Sequence, residues 1–130
     1  MREILFRGKC KDSGEWVEGG YYCEKIGEYI TATFIAENLT SQVIGHERVD
    51  HKTVGQFTGL TDKNGNKIFE GDIVKLSNGG FGFIQYDSGM FRLVGKTEVK
   101  PCVGNINDRI EVVGNIHDNP ELLSGDGNAD

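Results

Sequence analysis

Phe57-Thr-Gly-Leu-Thr-Asp-Lys-Asn-Gly-Asn-Lys-Ile-Phe-Glu-Gly-Asp-Ile-Val-Lys75 is the stretch on which the reading of the chain turns. It holds in order a Thr-Gly turn at Thr58-Gly59, a polar turn over Asp62 to Lys67, and an apolar pair, Ile68 and Phe69. A Gly71-Asp72 corner then releases the chain into a strand, Asp72 to Leu76. Asn64-Gly65 is the strongest tight-turn dipeptide in the sequence. The sequence is less regular before this stretch, and after it short strands and glycine turns follow at close spacing. The stretch therefore reads as the joint within a single domain, 1–123, between a mixed N-terminal part, 1–56, and a small barrel, 57–116.

Downstream, Ser77-Asn-Gly-Gly80 and Asp87-Ser-Gly89 separate Ile73–Leu76, Phe81–Tyr86 and Met90–Val94, which predicts an antiparallel meander. Thr97 to Val103 and Arg109 to Ile116 read as further strands. Strands this short and twisted suit a curled, SH3-like barrel better than a flat sheet. His117-Asp-Asn-Pro-Glu-Leu-Leu123 reads as one helical turn with Asn119 as cap and Pro120 in first position, followed by a frayed tail over 124–130. Upstream, Lys11-Asp-Ser-Gly14 joins Glu3–Arg7 to Glu15–Glu18 in a hairpin that Tyr21–Cys23 extends, and Tyr29 to Ala36 alternates as a strand. In Glu37 to Asp50, Leu39, Val43 and Ile44 fit either one side of a short helix or a loop. The fold class is mainly β, with a minor helical component.

The 130 residues suffice for a core without staples, and the 19 glycines, roughly twice average usage, are spread between strand-like runs as turn punctuation. Three cysteines with no CxxC spacing, and no apolar run of membrane-spanning length, point to a cytoplasmic protein with reduced thiols and no membrane contact. The net charge of -6 argues against sequence-independent binding to nucleic acid. The charge is uneven: Arg2, Arg7, Lys9 and Lys11 open the chain, and six carboxylates fall between Asp108 and Asp130.

Several motifs fail on spacing. Gly89 to Thr97 imitates a phosphate-binding loop but has five residues between its glycines, and they form the apolar body of a strand. His46-Glu-Arg-Val-Asp-His51 exceeds the zinc-protease spacing by one residue, which swings the imidazoles apart on a helix. Asp62-Lys-Asn-Gly-Asn66 opens like a calcium loop, but its glycine is misplaced and Ile73 stands where a bidentate Glu is needed. No catalytic residue, cofactor or metal site is expected, although spatial pairing of Cys102 with a histidine stays open. Phe81, Phe83, Tyr86 and Phe91 read as barrel core. The alternative is a nucleic-acid stacking face, for which Lys75, Phe83, Arg92 and Lys96 are the candidate residues.

Met1-Arg-Glu-Ile-Leu-Phe-Arg7, Val54-Gly-Gln-Phe-Thr-Gly-Leu60 with Asp62-Lys-Asn-Gly65, and Ile68-Phe-Glu-Gly-Asp-Ile-Val74 together resemble the YopX family of phage and prophage proteins. Glu111-Val-Val-Gly-Asn-Ile-His-Asp-Asn-Pro-Glu-Leu-Leu123 adds to that resemblance, which covers both ends and the middle. It implies a mainly β or α+β domain with a C-terminal SH3-like barrel, encoded by a phage or integrated prophage. It implies no catalytic residues. The Thr58-Gly59-Leu60 and Glu70-Gly71-Asp72 pieces have a structural explanation in glycine backbone angles and in acidic side chains that bind free amides. The expected function is a non-enzymatic accessory module that forms homo-oligomers and binds a phage or host protein, with open strand edges as the pairing surface. The alternative is a small-barrel nucleic-acid binder.

Overall fold

The computed structural model describes residues 4–26, 30–36, 46–77, 79–96, 99–101 and 109–123. Their regular elements are eleven β-strands and short 3-10 turns. The chain divides into two compact units, Met1–Phe57 and Thr58–Asp130.

In the first unit, the turn at Lys11 to Gly14 folds as its Asp, Ser and Gly residues dictate. The Gly14 amide donates to the Cys10 carbonyl (2.9 Å) and the Cys10 amide to the Glu15 carbonyl (2.8 Å). This sets β1 (Phe6–Lys9) against β2 (Trp16–Ile26), with Lys9 opposite Trp16 and Phe6 opposite Gly19. β2 runs unbroken through Gly19-Gly20 and pairs with β3 (Ile30–Ala36), which pairs with β4 (His46–Val49). The ladder then returns to its start. Cys10 bridges Val49, the Lys11 amide donates to the Arg48 carbonyl (3.0 Å), and the Asp50 amide donates to the Lys9 carbonyl (2.9 Å). Closure demands a close approach at Gly8, where a Cβ would lie 3.0 Å from that of Val49.

Within Glu37 to Asp50, residues 37–45 lie outside the described residues, and His46 to Val49 is strand rather than helix. Its pairing with β3 on one side and with Cys10 on the other overrides local helical spacing. The helical turn comes just afterwards, a 3-10 turn over His51–Thr53. Asp50 caps it by accepting from the Lys52 amide (3.1 Å). The buried Thr53 hydroxyl donates to the Asp50 carbonyl (2.6 Å) and accepts from the Lys9 amide (2.9 Å).

Strand β5 (Gly55–Thr61) begins in the first unit, where Gly55 and Gln56 pair with Arg7 and Phe6, and ends in the second. The turn expected at Thr58-Gly59 is therefore not a chain reversal. The strand passes through it, with Gly59 at a φ of 89°, while the buried Thr58 hydroxyl donates to the Ile68 carbonyl (2.8 Å) and accepts from the Leu60 amide (3.1 Å). β6 (Lys67–Phe69) lies beside β5, joined through the polar turn. The Gly65 amide donates to the Asp62 carbonyl and the Asp62 amide to the Asn66 carbonyl, enclosing a loop of Lys63 to Gly65 with Gly65 left-handed.

The carboxylate of Asp62 fills this loop. Its Oδ1 accepts from the amides of Asn64 and Asn66 (2.9 Å each), and its Oδ2 from the Val112 amide (2.8 Å) and the Asn66 side chain (3.4 Å). Burial raises the pKa of this group, but the amide donors of Val112, Asn66 and Asn64 outweigh it and hold the carboxyl below its ordinary value. The oxygens that would have ligated calcium are thus engaged with N–H groups.

Next comes the Gly-Asp corner. The fully buried Asp72 carboxylate accepts from the Phe69 amide (2.7 Å). Gly71, at a φ of 92°, takes a conformation that L side chains resist. Its amide donates to the Ile84 carbonyl and its carbonyl accepts from the Ile116 amide, both at 2.8 Å.

The rest of the second unit is a five-stranded antiparallel sheet in the order β10-β9-β8-β7-β11. It comprises β7 (Asp72–Lys75), β8 (Phe81–Asp87), β9 (Met90–Val94), β10 (Val99–Pro101) and β11 (Glu111–Asn115). The meander is as expected, and β11 pairs with β7 through a bulge between Val112 and Gly114. One face carries the core: Val74, Ile84, Phe91 and Leu93 pack with Ile68 and Ile110, flanked by Leu60, Leu76 and Val112. The expected C-terminal helical turn is a single 3-10 turn, Pro120–Leu123. Asn119 does not cap it with its side chain, which instead turns back to accept from the Asn115 amide (3.2 Å) beside the Cβ-less Gly114. The predicted tail over 124–130 lies outside the described residues.

Asp62→Ala leaves the part-buried amide of Val112 and the loop amides without an acceptor, so it is expected to cost about 2–4 kcal/mol in urea unfolding. Because the folded-state pKa of Asp62 is depressed, its contribution is fully present above the unfolded carboxyl pKa of about 3.9 and is lost as pH falls through the lower folded value. The acid loss of stability should therefore be shallower in Asp62→Asn than in the wild type. Gly71→Ala, which forces a Cβ into the left-handed region, is expected to cost about 1–2 kcal/mol in the same assay.

Candidate functional site

The meander positions the residues singled out in the sequence. Lys75 is exposed at the end of β7, opposite Phe81 on β8 and Glu111 on β11. Phe83 sits half-buried in mid-β8 opposite the fully buried Ile73, and Arg92 stands opposite Gln85 on β9. Opposed residues share a face and alternate residues return to it, so Lys75, Phe83 and Arg92 lie together on the face opposite Val74, Ile84 and Leu93. Lys96 is exposed just beyond β9. Arg92 is paired with Asp87 (3.5 Å).

The four aromatics divide. Only Phe91, 7% exposed, belongs to the core; Phe81 and Phe83 are half-buried on the other face, and Tyr86 is 46% exposed. The expectation that all four fill one core is corrected on this point: Ile68, Val74, Ile84, Leu93 and Ile110 fill the core with Phe91, and β8 alternation places Phe81 and Phe83 on the other face of the sheet, with the buried Ile73.

Tyr86 belongs to the tip of the β8–β9 hairpin, which sequence reasoning did not single out as a site. Asp87 faces Met90 across a two-residue turn in which Ser88 (φ 54°) and Gly89 (φ 83°) are both left-handed, the type I′ geometry that matches strand twist. The Tyr86 ring rests edge-on against the buried Phe91 ring, with centroids 4.9 Å apart. It is held in place and remains accessible. Met90, 40% exposed, lies on the other face of the hairpin tip, opposite Asp87 and on the same face as the Asp87–Arg92 pair. An exposed Tyr-Asp-Ser-Gly-Met run was the available signal, but nothing in the sequence shows that Phe91 anchors the tyrosine.

A second feature forms where distant segments meet. Lys75 shares a half-open cleft of about 530 Å³ with Lys63, Ser77, Arg109 and Glu111. The Lys63 amide donates to the Ile110 carbonyl (3.2 Å), which draws the β5–β6 loop onto the start of β11. No local spacing reveals this grouping.

His46 lies in β4, His51 in the 3-10 turn, His117 in the turn after β11, and Cys102 outside the described residues. Among the described residues, no three His, Cys, Asp or Glu side chains are grouped to hold a metal ion, and no helix is long and apolar enough to cross a membrane.

The YopX protein family matches residues 5–124, nearly the whole chain. The chain belongs to the YopX family. A crystal structure of protein EF1440 from Enterococcus faecalis is similar over 95% of this chain and 100% of that one, at 27% identity and a TM-score of 0.65. No curated protein matches the sequence. The segments that carried the resemblance to YopX proteins include the Asp62 loop and the Gly71-Asp72 corner, both of which have structural work in this fold.

Ser88 sits in a left-handed conformation that costs a non-glycine residue about 1–2 kcal/mol, partly offset by the greater chain entropy glycine loses on folding. Ser88→Gly is therefore expected to raise the thermal midpoint slightly, by less than about 1 kcal/mol in stability, without altering the fold.

Proposed function

We propose that this YopX-family protein is a non-enzymatic accessory module, encoded by a phage or prophage and acting in the cytoplasm of its bacterial host, that self-associates through the tip of its β8–β9 hairpin. The observation that carries this reading is Tyr86, exposed at 46% yet braced by Phe91, with Met90 exposed at the same tip on the other face of the hairpin. A pre-positioned aromatic loses little side-chain freedom on docking, and tyrosine and methionine are favoured in interface centres. The tip is also self-complementary in charge. Asp87 and Arg92 lie on one patch, so a twofold operation can exchange the ion pair between copies.

Strand edges support the reading less than the sequence suggests. β10 is three residues long and ends in Pro101, and β11 is broken by its bulge, both devices that discourage edge pairing. A nucleic-acid reading has in its favour the shared face of Lys75, Phe83 and Arg92. Against it stand the Asp87 partner of Arg92 and the net charge of -6.

In sedimentation equilibrium, the wild-type protein is expected to show concentration-dependent dimerisation that a short mixed-sequence oligonucleotide leaves unchanged. Tyr86→Ser with Met90→Ser should shift it to monomer while preserving its melting transition. A wild-type protein that stays monomeric at high concentration, or a double variant that dimerises as well as wild type, contradicts the proposal.

A further inference from the structure

We propose that the cleft between the β5–β6 loop, the β7–β8 turn and the start of β11 binds a small ligand carrying a phosphate group. Three cationic side chains, Lys63, Lys75 and Arg109, line it against one carboxylate, Glu111. Glu111 is taken by Lys63, whose Nζ lies 3.8 Å from its Oε1. Lys75 and Arg109 have no anionic partner among the described residues, although Lys75 and Glu111 are direct cross-strand neighbours. Among the described residues, two cations without an anionic partner thus share one concavity on a chain of net charge -6. Such local focusing attracts an anion against the sign of the whole molecule.

The composition of the lining narrows the ligand. A guanidinium presents a planar fork of donors that matches phosphate oxygens, and an ammonium adds a mobile point charge. Ser77, also in the lining, offers a hydroxyl. The volume of about 530 Å³ exceeds what an inorganic ion needs and falls within the range of small-molecule sites. Leu76 supplies an apolar wall, and the Glu111 carboxylate can accept from a hydroxyl or amino group on the body of the ligand. A phosphomonoester with a polar ring, of which a nucleoside monophosphate is the simplest probe, satisfies all of these groups together.

The walls are fixed by the fold. The Lys63 amide is bonded to the Ile110 carbonyl and the neighbouring Asp62 carboxylate to the Val112 amide, so Lys63 is tied to the segment that carries Arg109, just before β11, and Glu111, its first residue. The Leu76 amide donates to the Gly80 carbonyl and the Gly79 amide to the Leu76 carbonyl, closing the turn that bears Ser77. This site is independent of the hairpin-tip reading and stands or falls separately from it.

The test is calorimetric titration with adenosine monophosphate and with inorganic phosphate at low ionic strength, accompanied by NMR mapping of amide shifts. The expected result is saturable binding of the nucleotide at about 1 mM or tighter, competition by phosphate, and loss of affinity as salt is raised. Shifts should concentrate at Ser77, Gly79 and Glu111. Lys75→Gln with Arg109→Gln should weaken binding at least about tenfold while leaving the melting transition in place, since both side chains are exposed. Absence of saturable binding, binding unaffected by the double variant, or shifts elsewhere overturns the proposal. So does an oligonucleotide that binds this face while neither phosphate nor the mononucleotide competes, because the cleft would then serve a nucleic-acid backbone.

Discussion

The hydrogen bond from the Val112 amide to the buried Asp62 carboxylate is the contact on which the second unit depends. A single side chain closes its own loop through Asn64 and Asn66 and reaches 50 residues along the chain to the last strand. Burial of a carboxylate is unfavourable alone, and here the donors from Val112, Asn66 and Asn64 more than compensate it. The next amide, that of Lys63, bonds to the Ile110 carbonyl. The β5–β6 loop and β11 are therefore laced together at two successive positions. One consequence is structural, placing Ile110 and Val112 at the apolar core with Ile68 and Val74. The other is electrostatic, bringing Lys63 beside Arg109 and Glu111 at one cleft.

Much of this architecture is legible in the sequence because its turns are local. Asn64-Gly65, Ser77 to Gly80 and Asp87 to Gly89 each carry their conformation in their own residues, and the strands between them follow. The readings that failed depend on remote partners. Thr58-Gly59 looks like a turn because serine-type side chains and glycine favour turns, yet the Thr58 hydroxyl bonds across to Ile68 and the strand continues. His46 to Val49 has ambiguous spacing, and its strand state is imposed by β3 and by Cys10, far away in sequence. Asn119 has the right identity for a cap, but Gly114 leaves a space that its side chain enters instead.

The surface was less legible than the fold, for the same reason. Lys75, Phe83 and Arg92 were grouped from neighbouring strands, and the meander does place them on one face. What sequence could not supply is that Arg92 turns to Asp87, that Phe83 lies against a buried isoleucine position, and that Lys75 instead neighbours two cations from loops 12 and 34 positions away (75 − 63 and 109 − 75). Tyr86 and Phe91 posed a similar problem. Both read as core aromatics, and only their edge-on contact shows that one anchors the other at the surface. The acidic residues in two of the segments that resemble the YopX family, Asp62 and Asp72, spend their carboxylates on backbone amides, which accounts for them as determinants of fold.

The most direct test of this account is the pH dependence of the amide proton shifts of Asn64, Asn66 and Val112 followed by NMR. If one carboxylate accepts from all three, their shifts will titrate together with a single midpoint below the ordinary aspartate range. Separate midpoints, or a Val112 amide that does not respond while the loop amides do, would contradict the claim that Asp62 joins the β5–β6 loop to β11.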